Sequence, residues 1–444
     1  MGPTPLYDAL RAFADSQPQR FHMPGHKGRA LPFAELSAAA PLDFTELPPT
    51  GDLFSGEGPI REAEALWAEA FHMEECLLLT GGSTQGMLTA LTLAAGVGSA
   101  VLLDRGSHRS AYNALALLDL TPVYLERDPL ENAGVLGPIS PQAVDNFLKE
   151  RPDIKTVCIT SPTYYGVLSD VPAIAQVVHT HGGKLVVDAA HGAHLPFLGD
   201  YDLSAADLVV TSAHKTLPAP GQSALLFARG FTHEELCRAG SLYGSSSPSY
   251  LLMAALDAAR AWMEDEGASA YRETAAHVRR LRQQFPSLSE VDAPMDPARF
   301  VLKTADGFGV QEALERQGIY PEMADDRHVV FIFSCADGAR DVERLEVALE
   351  KVNPPVAFSD SPLSKGAKLL PAPEIALSPR EARFAPCESI PLRSAEGRIS
   401  ACQIAPYPPG VPVVAPGEVI CKKHLAYLDE IGYNMEQDVQ VIVF

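Results

Sequence analysis

The feature that most constrains the fold is a series of short, continuous apolar segments separated by helix-like stretches. The strand-like segments are Cys76–Thr80, Ala100–Asp104, Thr156–Thr160, Lys184–Asp188, Asp207–Thr211 and Ala224–Phe227. Apolar strands that alternate with helices are typical of a mostly parallel sheet covered on both faces. The sequence therefore predicts an α/β fold. Sheets of this kind bind ligands beyond the C-terminal ends of their strands.

Changes in composition along the chain predict four regions. Residues 1–58 form a loop-rich N-terminal arm, and residues 59–290 form the major domain. Residues 291–352 have the pattern of a small α/β domain. Residues 353–444 begin with a proline-rich linker and continue as a C-terminal domain of loops and short strands.

Charge and composition exclude several classes of function. The net charge of −21 argues against nucleic-acid binding, which needs a basic surface, and favours encounter with small cations. The sequence contains no apolar run long enough for a membrane span and no apolar signal-peptide core. The seven cysteines form no CxxC pair, so no metal site and no disulfide framework is expected. A cytoplasmic location fits these observations.

A lysine and an aspartate follow two successive predicted strands. Lys215 lies in the segment SAHKT after one strand, and Asp188 closes the strand before it. Taken singly, Lys215 could be a surface lysine and Asp188 a turn or cap residue. Together, an amine and a carboxylate at neighbouring strand ends suit pyridoxal 5'-phosphate, because its aldehyde needs an amine and its pyridinium needs a carboxylate.

Two further loops after strands carry candidate binding residues. The segment TGGSTQG, which includes Gly82, Ser83 and Thr84, joins a strand to a helix, where free backbone N–H groups attract a phosphate. It matches neither a nucleotide P-loop nor the dinucleotide GxGxxG pattern, and an ordinary helix start would look similar. His108 in DRGSHRS could stack on an aromatic cofactor ring or be a plain surface residue.

The order of these segments resembles fold-type I pyridoxal-phosphate enzymes, which are aspartate aminotransferase-like. The fuller motifs resemble the Orn/Lys/Arg decarboxylase family, in its short class without the N-terminal wing domain. They run from residue 21 to about 418 and are FHMPGHKGR, EGPIREAEALWAEAF, TGGSTQG, DRGSHRSA, TSPTYYGV, VVDAAHGAH, SAHKT, SSSPSYLLMAALDAAR and EGRISACQIAPYPPGVPVVAPGE. Met87 and Phe54 depart from the family pattern, which often has Asn and His there.

The resemblance implies a role for each candidate residue. Lys215 would hold the cofactor as a Schiff base, Asp188 would pair with the pyridine nitrogen, His108 would stack on the ring, and His191 would lie beside the imine. The phosphate would be bound by residues of three segments, namely Gly82, Ser83, Thr84, Ser212 and His214. In a homodimer or higher homo-oligomer with shared active sites, Ser246 or a neighbouring serine, Ser245 or Ser247, would reach the partner's phosphate.

The function implied is decarboxylation of arginine, lysine or ornithine to CO2 and an amine of the polyamine pathway. The distal cation of such a small cationic substrate needs an acidic partner, and Glu388, Glu418 and Asp52 are candidates. The alternative is an aminotransferase or another lyase on the same fold. In an aminotransferase, Arg393 or Arg398 could bind the substrate's α-carboxylate.

Overall fold

The computed structural model describes residues 2–29, 34–130, 133–199, 201–355, 373–406 and 411–443. Most of the predicted linker, residues 356–372, and residues 407–410 of the C-terminal motif lie outside this description. Contacts divide the chain into two compact units. Unit 1 comprises Met1–Ala94 and Val186–Arg272, and unit 2 comprises Ala95–Leu185 and Glu273–Phe444. The four regions inferred from composition stay a prediction.

The helices are numbered in chain order. They are α1 (Pro5–Asp15), α2 (Ala34–Ser37), α3 (Gly58–Ala70), α4 (Gly82–Ala94), α5 (Arg109–Leu118), α6 (Pro141–Glu150), α7 (Val171–Thr180), α8 (Leu195–Leu198), α9 (Ala213–Thr216), α10 (His233–Gly240), α11 (Tyr250–Trp262), α12 (Ala268–Gln284), α13 (Gly307–Glu315), α14 (Ala339–Val352), α15 (Pro379–Phe384) and α16 (Lys422–Glu430). Among the described residues, no helix is both long enough and apolar enough to cross a bilayer.

The strands are numbered in the same way. They are β1 (Glu75–Leu79), β2 (Ala100–Asp104), β3 (Thr121–Leu125), β4 (Pro129–Leu130), β5 (Val135–Leu136), β6 (Thr156–Thr160), β7 (Lys184–Asp188), β8 (Leu208–Thr211), β9 (Ala224–Ala228), β10 (Arg299–Lys303), β11 (Met323–Ala324), β12 (His328–Ile332), β13 (Cys387–Pro391) and β14 (Asp438–Ile442). All six strands predicted from apolar segments are confirmed to within a residue at either end.

Unit 1 contains parallel and antiparallel strand pairs. Strand β7 is parallel to β8, whereas β9 is antiparallel to both β8 and β1. The connection between β8 and β9 contains only the four-residue helix α9. It lacks the long crossover helix that usually joins parallel strands, so the chain returns antiparallel at the same end. This connection carries Lys215 and holds it at the C-terminal end of β8.

Unit 2 contains the parallel part predicted from sequence, together with three smaller antiparallel sheets, one of which is the short β4–β5 pair. Strand β2 pairs in parallel with both β3 and β6. Strands β10, β12 and β11 form an antiparallel sheet in that order. Strands β13 and β14 form an antiparallel pair over an apolar cluster that includes Leu392, Val414, Ile420, Leu428 and Val441.

An aromatic cluster fills the core of unit 1 beside β9. Trp67 lies on α3 and Phe71 directly follows this helix, and the ring of Phe71 stacks on that of Phe227 with centroids 4.0 Å apart. Phe197 meets the rings of Trp67 and Phe71 edge to face. Burying rings of this size is a large part of what stabilises such a core.

Glu64 is a fully buried acid on α3. Its Oε1 accepts a hydrogen bond from the backbone N of Leu78 at 3.0 Å, and Nε2 of His233 lies 3.4 Å from its Oε2. Burial raises the pKa of Glu64 to about 8, although the Leu78 hydrogen bond and the charge of Arg61 lower it. Burial also lowers the pKa of His233 to about 4. At neutral pH both side chains are therefore mostly uncharged in the folded protein.

The wild-type free energy of unfolding should fall relative to that of Glu64→Gln as the pH rises from 6.5 to 8. The carboxyl's ordinary pKa is 4.5, so the unfolded chain has already released this proton while the folded chain retains it. The unfolding free energies of the two proteins should therefore diverge by at most about 1.4 kcal/mol per pH unit. Above pH 6.5 His233 is mostly neutral in both states. Urea unfolding of both proteins at the two pH values measures the effect, and equal pH slopes would contradict a protonated Glu64.

Candidate active site

The side chains of Lys215 and His191 meet in unit 1. Lys215 belongs to α9, directly after β8, and its Nζ lies 3.1 Å from Nε2 of His191. His191 follows β7 and is only 5% exposed. An amine and an imidazole at this distance can share a proton, so the pair can pass a proton between two nitrogens.

Asp188 is the last residue of β7 and lies at the same end of the β7–β8 pair as Lys215. It lies opposite Val210 of β8, and the backbone N of Ala189 donates to the carbonyl O of Val210 at 2.8 Å. The carboxylate is 3% exposed, and its Oδ1 accepts from the backbone N of Ala190 at 3.2 Å. The structure thus places Asp188, His191 and Lys215 at the C-terminal ends of two adjacent parallel strands.

The segment TGGSTQG leads into helix α4, and this helix packs tightly on β8. Gly82 has a φ of +71° and opens α4. A Cβ at Gly86 would lie 2.6 Å from Cγ1 of Val210, so only glycine allows this approach. Ser83 and Thr84 occupy the first turn, where backbone N–H groups have no partner within the helix. The buried Gln85 accepts a hydrogen bond from the backbone N of Gly81 at 2.9 Å and so fixes the loop.

Two buried hydroxyl groups flank Lys215 along the chain. Ser212 and Thr216 are at most 1% exposed, and within the described part of the chain their hydroxyl oxygens have no hydrogen-bond partner. Leaving a buried hydroxyl unpaired is costly, and a phosphate oxygen would accept from one. These unsatisfied groups would therefore suit a phosphate bound beside Lys215, as the predicted role of Ser212 requires.

His214 is fixed by the loop that follows α9. Its Nδ1 donates to the carbonyl O of Ser223 at 2.9 Å, because a carbonyl can only accept. The same loop approaches the start of α4, since a Cβ at Gly82 would lie 3.8 Å from the carbonyl O of Gln222. The TGGSTQG and SAHKT segments thus converge within unit 1.

His108 belongs to unit 2 and is described there alone. It precedes α5 as the N-cap residue, and its Nδ1 accepts from the backbone N of Ser110 at 3.3 Å. Its side chain is exposed at the end of β2. The assigned role of stacking on a cofactor ring stays a prediction.

Ser246 lies in an exposed loop of unit 1 before α11. Ser245, Ser246 and Ser247 are exposed, whereas Ser249 is the residue that caps α11, accepting from the backbone N of Leu252. The exposed serines are therefore not needed as the helix cap. Whether Ser246 reaches a partner's phosphate stays a prediction.

The three carboxylates considered for the substrate's distal cation differ in their surroundings. Glu418 is buried in an ion pair with Arg105, and the half-exposed Glu388 pairs with Arg398 at 2.7 Å. Both are already neutralised by arginines of unit 2, which argues against either one binding the substrate cation. Asp52 is exposed in unit 1 and accepts from the backbone N of Phe54 at 2.9 Å. In the described ranges, no cluster of three or more His, Cys, Asp or Glu could hold a metal.

Comparison with known proteins decides the family. The model of the Orn/Lys/Arg decarboxylase major domain matches residues 4–304, and that of the C-terminal domain matches residues 365–437. The chain belongs to the Orn/Lys/Arg decarboxylase family. It is 30% identical to the arginine decarboxylase of Bacillus subtilis (strain 168), over 96% of this chain and 93% of that protein.

Solved structures confirm the fold type of this decarboxylase. A Francisella novicida lysine decarboxylase superposes with a TM-score of 0.84 at 20% identity, covering 99% of this chain and 81% of that one. A serine palmitoyltransferase with pyridoxal phosphate has a TM-score of 0.53 at 16% identity, covering 66% of this chain and 77% of that one. The chain is thus a fold-type I amino-acid decarboxylase, and its cofactor is pyridoxal phosphate.

Some residues that shape the site were not found from sequence. Gln85 fixes the loop before α4, and Ser223 anchors His214. Tyr271 donates from its hydroxyl to the carbonyl O of Thr216, and its ring stacks on that of His194 at 4.7 Å. His194 was visible in the DAAHGAH motif, but nothing in the sequence links it to Tyr271.

Proposed function

We propose that this protein decarboxylates arginine to CO2 and agmatine, an amine from which polyamines can be made. The observation that carries the proposal is the contact between Lys215 and His191 beside Asp188, in a chain of this family. The 30% identity to an arginine decarboxylase over nearly the whole of both chains favours arginine over lysine and ornithine. The net charge of −21 favours encounter with a cationic substrate.

Pyridoxal phosphate, when bound, supplies a sink for the electron pair released as the bond from Cα to the carboxylate breaks. Lys215 would hold the cofactor through its aldehyde carbon, the position at which the substrate's amine would also bind. Asp188, almost fully buried, would keep a proton on the pyridine nitrogen, because its charge favours the protonated form. Ser212, His214 and the first turn of α4 would hold the phosphate.

His191 would take part in the proton transfers. Its Nε2 lies 3.1 Å from Nζ of Lys215, so one proton can be held between them. After CO2 leaves, either Lys215 or His191 would return a proton to Cα. Because His191 is 95% buried, bulk water has little access to that proton.

A panel of L-arginine, L-lysine and L-ornithine tests the proposed substrate. We expect kcat/KM for arginine to exceed that for the other two by at least about tenfold, since a site built for one polar group discriminates strongly against others. Release of CO2 and formation of amine should be equal, as measured by carbonate trapping and chromatography. A keto acid as the main product would indicate an aminotransferase, and a higher kcat/KM for lysine or ornithine would overturn the choice of arginine.

A further inference from the structure

A buried ion pair joins two distant segments of unit 2. Arg105 follows β2, and its Nη1 and Nη2 lie 2.7 and 2.9 Å from the two carboxylate oxygens of Glu418. The side chains of Arg105 and Glu418 are 7% and 1% exposed. Oε2 of Glu418 also accepts from the backbone N of Ala415 at 2.8 Å. This bidentate geometry fixes the orientation of the Arg105 guanidinium as well as its distance from the Glu418 carboxylate.

Arg105 has further partners on both sides of the pair. Its Nη2 donates to the carbonyl O of Val413 at 2.9 Å, and its guanidinium carbon lies 4.4 Å from the centre of the Tyr124 ring. Its own carbonyl O accepts from the hydroxyl of Tyr112, on α5, at 2.8 Å. Hydrogen bonds thus fix both the side chain and the backbone of Arg105. They also fix the point from which the following loop leaves β2.

The C-terminal region also contacts both ends of α5. Nε2 of Gln403 donates to the carbonyl O of Arg109 at 3.2 Å, at the first residue of the helix. Nη1 of Arg380 donates to the carbonyl O of Leu117 at 2.9 Å, near its last residue. Together with Glu418, these contacts hold the short segment that contains His108, three residues after Arg105.

We propose that Glu418 and Arg105 are positioning residues for His108, so that the C-terminal region controls how firmly the cofactor is bound. The inference rests on the proposed function and on the predicted contact between His108 and the cofactor ring. It gives Glu418 a role other than binding substrate and links the C-terminal segment ending in PGE to the loop that carries His108. The loop would lose its fixed position when the carboxylate is replaced.

Hydrogen exchange of the apoprotein tests the first half of the proposal without any cofactor. Glu418→Gln should speed amide exchange in residues 106–110 by about tenfold, because the charged partner of Arg105 is lost. Glu436→Gln is the matched control, since Glu436 forms an exposed ion pair with Arg393 in the same region. Unchanged exchange in Glu418→Gln, or equal acceleration in both variants, would overturn the proposal.

A double-mutant cycle on pyridoxal phosphate affinity tests the second half. Glu418→Gln should weaken binding about tenfold in the wild-type background but less than about twofold in the His108→Ala background, because the two changes remove the same contact. The visible circular dichroism per bound cofactor should fall in both single variants. Glu418→Asp should restore part of the affinity and replaces Glu418→Gln in the cycle if that variant does not fold. Additive effects, or a His108→Ala variant with wild-type affinity, would contradict the proposal.

Discussion

Replacement of Lys215 by alanine is expected to reduce CO2 release by at least about 10³-fold, since it removes the amine that binds the cofactor and exchanges with the substrate. The side chain lies at the end of β8, and its Nζ contacts Nε2 of His191, so no other described lysine occupies that place. Initial rates of CO2 release with saturating cofactor measure the loss.

Lys149→Ala is the control for this variant. Lys149 is a mostly exposed lysine on α6 that pairs with Asp145, four residues earlier in the helix. Its replacement should leave CO2 release unchanged. A Lys215→Ala protein that retains more than about a tenth of the wild-type rate would remove Lys215 from the centre of the mechanism.

Replacement of Asp188 by asparagine is expected to lower kcat by about 10²- to 10³-fold while much of the cofactor stays bound. Asparagine keeps an oxygen that can accept from the backbone N of Ala190 but has no charge to keep the pyridine nitrogen protonated. The loss should therefore appear in turnover more than in folding. Cofactor content by absorbance and kcat for the amine product are the two measurements.

Asp202→Asn provides the matched change at an exposed site. Asp202 lies in a surface turn of unit 1, where its Oδ1 accepts from the backbone N of Ser204 at 2.8 Å. Asparagine can accept the same bond, so kcat should not change. If Asp188→Asn turned over at a rate near that of Asp202→Asn, the carboxylate would not be the partner of the cofactor nitrogen.

The sequence predicted the strand ends well because continuous apolar runs leave few alternatives. Asp188 and Lys215 follow such runs, and the structure brings both to the C-terminal end of the β7–β8 pair. The antiparallel direction of β9 was not predicted, because an apolar strand has the same sequence pattern in either direction. The short helix α9 in the connection was the available signal.

Long-range pairings could not be predicted from local pattern. Arg105 and Glu418 are separated by 313 residues, and neither segment shows which charge it will meet. Glu418 therefore looked available for a substrate cation. The burial of Glu64 could not be predicted either, because a glutamate in a helix normally faces water. In the structure it is buried against the backbone of Leu78.

The most direct test of the account is peptide mapping of the borohydride-treated holoenzyme. Reduction should leave a pyridoxyl group on the single peptide that contains Lys215, at about one group per chain, because its amine is the one placed at the end of β8 beside His191 and Asp188. Prior addition of arginine should lower that labelling, since substrate displaces the lysine. A label on another lysine, or no pyridoxyl group in protein that carries an intact Lys215, would contradict the account.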